Sequence, residues 1–179
     1  MAIQIGAKPD SGFDDPIGML KDCHRRIESF LHILCMVVER AHGRELSVEE
    51  RDAVQAALQY FRVGGVRHTA DEEESLFPRM RARSESADPT FENLGLLESD
   101  HHTATNLHAL VEQLYLMWIA EKRLSADSEQ KLLGATQDLK KLYSEHINLE
   151  EQVVFPHAAQ VLDRQSIAAM GQEFRIRRS

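Results

Sequence analysis

His68 stands one helical turn before Glu72, and His146 stands one turn before Glu150. On a helix, residues four apart lie above one another on the same face. Each pair can therefore present an imidazole and a carboxylate to one point. Carboxylates can bridge two metal ions while imidazoles fill terminal positions, and such nitrogen-and-oxygen donor sets suit iron or manganese. A single His-x-x-x-Glu is more often a surface ion pair than a ligand pair. Here, however, the stretch "HTADEEESLFP" returns 78 residues later as "HINLEEQVVFP", so that His68, Glu72, Glu73, Phe77 and Pro78 recur as His146, Glu150, Glu151, Phe155 and Pro156. Surface pairs have no reason to recur at a fixed distance from Phe-Pro.

The elements that must carry these pairs are helical. Apolar residues recur at three- and four-residue spacing almost throughout, and period-2 alternation is hard to find. Asp15-Pro16 opens a first helix that ends near Gly43; Ile27, Phe30, Leu31, Leu34 and Val38 mark its buried stripe, with His24 on the same face. "SVEE" at Ser47 to Glu50 is a capping box that starts a second helix. Gly64-Gly65 should weaken or bend that helix just before His68. "RARSESADP" reads as a turn, with Asp88-Pro89 starting a third helix that runs to about Ala120. A fourth helix starts near Asp127 and extends toward Val161, and "SIAAMGQEF" is a short fifth segment. These spacings predict an all-α, antiparallel up-and-down four-helix bundle over about 16–160, with a short additional C-terminal helix within 161–179, all in one domain of residues 1–179. The two halves read as a duplicated helical hairpin, each with an early histidine on its first helix.

Bulk properties narrow the function. The 179 residues suit one well-packed core. Twenty-one Lys and Arg against 29 Asp and Glu give a net charge of -8 and a pI near 5.6, so nucleic acid is not an expected partner. The basic end "RIRRS" reads as a solvated tail. No apolar run is long enough for a membrane span, and no signal-peptide pattern opens the chain, so a cytoplasmic location and no membrane partner are expected. Cys23 and Cys35 lie roughly 18 Å apart on one helix and cannot bridge each other there.

"CHRRIESFL", "HTADEEESLFPRM", "ESDHHTATNLHAL" and "EHINLEEQVVFP" together resemble the hemerythrin-like, or HHE cation-binding, domain, with four motifs in the family's order. The resemblance implies two non-heme iron ions (Fe2+/Fe3+), joined by two carboxylates and an oxo or hydroxo group, and a diatomic ligand or peroxide as partner. It carries the ligand roles onto His24, His68, Glu72, His146 and Glu150. On the third helix the family's acidic-histidine order selects His101 after Asp100, while the 78-residue register selects His102; both stay open on sequence. Thr105 and Asn106 stand where oxygen-carrying hemerythrins have a further histidine, which leaves an open coordination position and favours reaction over storage.

The expected function is therefore a non-heme di-iron protein that binds or reacts with dioxygen, peroxide or nitric oxide. The alternative is an oxygen or iron sensor, or an iron-handling module, without turnover. Glu28, one turn from His24, reads as solvated. His108 reads as a supporting or core residue, and Glu73 and Glu151 as hydrogen-bonding supports or surface groups. Phe77 and Phe155 should close the bundle around the metals, and Pro78 and Pro156 should bend or end their helices just past the site.

Overall fold

The computed structural model describes residues 10–83 and 90–179, and every regular element among them is helical. Five helical rods follow one another. α1 is Pro16–Ala41. α2 is a continuous rod over 48–83, with wide π-type turns at Phe61–Gly65 and Glu72–Leu76. α3 is Thr90–Glu121. α4 runs over 126–161, with a third π-type turn at Glu150–Val154. α5 is Arg164–Ile176. The expected turn and the Asp88-Pro89 start of α3 lie outside the described residues.

Local chemistry sets the helix ends. The Asp15 carboxylate accepts from the Gly18 amide at 2.9 Å, and Pro16 fills the first position, where no amide donor is needed. Ser47 accepts from the Glu50 amide at 3.2 Å while Glu50 accepts from the Ser47 amide at 2.8 Å, which makes the capping box reciprocal. Ser125 and Asp163 cap α4 and α5 in the same manner. α1 ends at Ala41, where His42 and Gly43 both take left-handed backbone, with φ of 47° and 68°.

Neither helix ends at its proline. Both rods continue beyond Pro78 and Pro156, to Arg83 and Val161. A proline ring collides with the carbonyl four residues back. Here the preceding turn is widened: the Phe77 amide donates to the Glu72 carbonyl and the Phe155 amide to the Glu150 carbonyl, both five residues back. The third widened turn, at Phe61–Gly65, coincides with the two glycines expected to disturb α2.

α1 packs against α2 and α4, and α3 packs against α4. Two apolar clusters form the interior. One gathers Leu34, Val54, Tyr115, Trp118 and Leu132; the other gathers Leu20, Leu76, Phe77, Phe155, Met170 and Phe174. Along each of α1 to α4, a short polar stretch separates the residues of one cluster from those of the other. α5 packs across α1 and the middle of α2. Its Gly171 meets the chain entering α1 so closely that a Cβ there would lie 1.9 Å from the Phe13 carbonyl oxygen. The C-terminal basic residues are not a solvated tail: Arg177 and Arg178 are 18% and 21% exposed and bind the fully buried Asp71.

Candidate metal centre

The polar stretches between the two cores converge. α1 supplies His24, α2 His68 and Glu72, α3 His101, and α4 His146 and Glu150, all buried. His68 Nε2 lies 3.3 Å from Glu72 Oε1, and His101 Nε2 lies 3.2 Å from Glu72 Oε2, so the two oxygens of one carboxylate face two different histidines. Glu150 Oε2 lies 3.0 Å from His24 Nε2 and 3.4 Å from His146 Nε2. Donor atoms of His24, His68, Glu72 and Glu150 fall within 4.8 Å of one another, as do those of Glu72, His101 and His146. The result is two adjoining donor groups with Glu72 common to both and Glu150 reaching toward a histidine of each.

A surrounding layer fixes the imidazoles. Glu73 Oε1 holds His101 Nδ1 at 2.8 Å, and Glu151 Oε1 holds His24 Nδ1 at 2.8 Å. Asp100 Oδ2 stands 3.4 Å from His146 Nδ1. Phe77 stacks on His101 with rings 6° apart, and Phe155 stacks on His24 at 10°. The repeated Glu-Glu-x-x-x-Phe-Pro thus acts as a cassette: its first glutamate enters the centre, its second hydrogen-bonds a histidine of another helix, and its phenylalanine stacks on that same ring. α2 serves α3 this way and α4 serves α1. An acceptor on Nδ1 places a proton there, so that the neutral ring directs its Nε2 lone pair inward.

Nine buried side-chain atoms lack a hydrogen-bond partner among the described residues, and all nine belong to these six residues: Nε2 of the four histidines, Nδ1 of His68, and both oxygens of Glu72 and Glu150. His24 Nε2 and Glu150 Oε2 are close enough for a hydrogen bond but are not aligned for one. Leaving so many polar atoms buried and unmatched is costly unless something else occupies the space between them. A cation bound by nitrogen and oxygen donors fits that space.

Protonation in the metal-free state reflects the crowding. Burial pushes Glu72 well above the usual carboxylate range, and the neighbouring Glu150 carboxylate adds to this. Burial presses Glu150 the same way, but His24 and His146 hold it below its ordinary value. Burial alone would lower His24; the Glu150 and Glu151 carboxylates outweigh it and raise the imidazole to about 9. His68 is driven well below 6.5 by burial and by the imidazoles around it, so it presents a neutral ring.

A family model, the hemerythrin HHE cation-binding domain, matches residues 15–158. The chain belongs to this family. Among curated proteins, none matches the sequence. In this hemerythrin-family chain all six sequence-derived candidates meet at one place. The ambiguity on α3 resolves in placement, since His101 turns into the cluster and His102 is exposed. Glu28 is exposed and lies outside the cluster. His108 packs on Phe61 and bonds the Tyr143 hydroxyl at 2.9 Å, a supporting position. Thr105 donates to the His101 carbonyl at 2.9 Å and adds no donor to the centre. It lines an open cavity of about 510 Å³ between α2 and α3, together with Phe61, Ala104, His108 and Tyr143, and His101 and Glu73 also line it. The sequence offers Asp100 only as the acidic residue before His101, not as a partner of His146. Tyr143, which meets the His146 ring edge-on and bonds His108, is signalled in the sequence only by its three-residue step to His146.

Proposed function

We propose that the chain is a non-heme di-iron protein that binds or reacts with dioxygen, peroxide or nitric oxide. The observation that carries this reading is the set of nine unpartnered donor atoms, all on the six residues that the family pattern marks. His24 and His68 would hold one iron and His101 and His146 the other, with Glu72 and Glu150 bridging. The alternation of cores supports the bundle architecture behind it. α1 and α3 run from the Phe77 cluster to the Trp118 cluster, and α2 and α4 run the opposite way, as an antiparallel up-and-down bundle requires.

A bound iron pair would supply two electrons and a Lewis-acidic binding position for a small oxidant. The protein's part is positional. Glu73 and Glu151 accept the Nδ1 protons of His101 and His24, fixing each ring and raising its basicity. Phe77 and Phe155 cover those rings and keep water from their faces. Four histidines and two carboxylates leave fewer protein donors than a site with a further histidine at the position of Thr105. The cavity beside Thr105 offers a small ligand an approach on the His101 side. Rapid oxidation rather than reversible carriage is therefore the preferred reaction type.

The test is metal analysis of anaerobically purified protein with visible spectra before and after air, followed by stopped-flow mixing of the reduced protein with oxygen. About two irons per chain and rapid, irreversible oxidation support the reading. An oxygen adduct that persists and is released under vacuum returns the protein to carriage. Absence of bound metal removes the reading altogether.

A further inference from the structure

α5 lies beyond residue 158, where the family match ends, yet its C-terminal end touches the turn that carries Glu72. Asp71, directly before Glu72, is fully buried and receives Arg177 Nη1 at 2.9 Å and Arg178 Nη2 at 2.5 Å. Arg177 also donates to Glu74 Oε2 at 3.1 Å and to Ser75 Oγ at 2.9 Å. The Ser75 hydroxyl donates to Glu173 at 2.5 Å, and Arg79 donates to the same carboxylate at 2.7 Å. Four residues that bracket Glu72 and Glu73 are thus gripped from outside the bundle.

The second cassette does not repeat these side chains. The positions 78 residues on from Asp71, Glu74, Ser75 and Arg79 are Leu149, Gln152, Val153 and His157. The widened turn at Glu150–Val154 therefore has the same shape and cassette without the buried carboxylate or the serine. A widened turn has fewer regular backbone bonds to hold it, and Glu72 must keep each oxygen toward a different histidine. A charged carboxylate at Asp71 is tolerated in the interior only while its cations are in place.

We infer that Arg177 and Arg178, through Asp71, are positioning residues for the centre: docking of the C-terminal end of α5 holds the Glu72–Glu73 turn in the geometry that binds metal. This rests on the metal reading above and makes the site dependent on a segment outside the family domain.

The probe is Co2+ added to the metal-free full chain, read by chelator competition and by its visible ligand-field bands, with thermal melting of the metal-free protein alongside. Arg177→Gln with Arg178→Gln should weaken Co2+ binding about tenfold, the lower end for a change outside the ligand shell, and shift the bands. Arg177→Lys with Arg178→Lys should recover most of the affinity. Met170→Ala loosens α5 through a buried apolar side chain of the Phe77 cluster; compared at matched melting temperature, it should leave the bands unchanged. If the glutamine pair does not fold, Arg177→Gln and Arg178→Gln singly should each show part of the loss. Wild-type affinity and bands in the glutamine variants overturn the inference, as does an equal band shift in Met170→Ala. A wild-type chain that takes up no Co2+ overturns the metal reading and this inference together, an outcome distinct from the other two.

Discussion

At the scale of single residues, the two glutamates of each cassette have different work. Glu72 and Glu150 are fully buried with both oxygens unmatched, whereas Glu73 and Glu151 are 37% and 31% exposed and each holds one imidazole. Glu72→Ala and Glu150→Ala should each abolish stable metal loading, measured as metal per chain after desalting. Glu73→Gln and Glu151→Gln should keep the stoichiometry with about 10- to 100-fold weaker affinity. Equal retention in all four variants would contradict this division. His108 gives a separate pH prediction. Burial lowers its imidazole to about 4 from an ordinary 6.5, against a weaker opposing pull from Glu112, with Tyr143 and Phe61 as its other neighbours. Between those values the unfolded chain binds the proton more readily. The stability held by neutral His108 is therefore complete above 6.5 and is lost as pH falls toward 4, by at most about 3 kcal/mol. Denaturant melts of His108→Gln should show a shallower loss than wild type across that window; parallel curves would refute it.

At the scale of elements, the widened turns decide where side chains go, and they explain the limits of reading this sequence. On a regular helix, a glutamate five residues after His68 points partly away from the site. The turn at Glu72–Leu76 instead lets consecutive glutamates serve the buried donor cluster and a histidine of another helix. Helical periodicity showed the rods and the capping sequences their starts, because both signals are local. The extra residue in a turn and the docking of α5 are not local. Nothing in "RIRRS" names Asp71 as the partner of its arginines. The turn at Phe61–Gly65 offers a contrast within one dipeptide. A Cβ on Gly64 would lie 2.6 Å from the Tyr60 ring, which is stacked on Phe30 and tied by its hydroxyl to the Cys23 carbonyl. Gly64→Ala should cost about 1–3 kcal/mol through that overpacking. A Cβ on Gly65 meets nothing nearer than 3.6 Å and the backbone is helical, so Gly65→Ala should be neutral or stabilising by up to about 1 kcal/mol. Urea denaturation separates the two, and equal effects would dismiss the steric explanation.

At the scale of the whole molecule, a polar layer separates two apolar cores; four of its six candidates, His68, Glu72, His146 and Glu150, were legible because the chain states the pair twice, while His24 and His101 came from the family resemblance. Their burial was not legible from the motif alone. It follows from four helices that each change from one core to the other at the same level. Unmatched donors in that layer oppose folding, and an ion bound there would remove the opposition. Metal at about 100 times its dissociation constant should stabilise the fold by about 2.7 kcal/mol. Stripping it with a chelator should lower the melting temperature accordingly; no change in melting would count against metal occupying the layer. The crosswise service of the cassettes has one more consequence, and it concerns the order of events during synthesis. His24 leaves the ribosome early, but the glutamate that orients it lies 127 positions further on, and His101 depends in turn on Glu73 from the half already made. Neither hairpin holds a finished half-site. If the layer takes up metal as proposed, full affinity would arise only when the last long helix closes on the first, and a nascent or truncated chain would hold an ion more weakly than the finished fold.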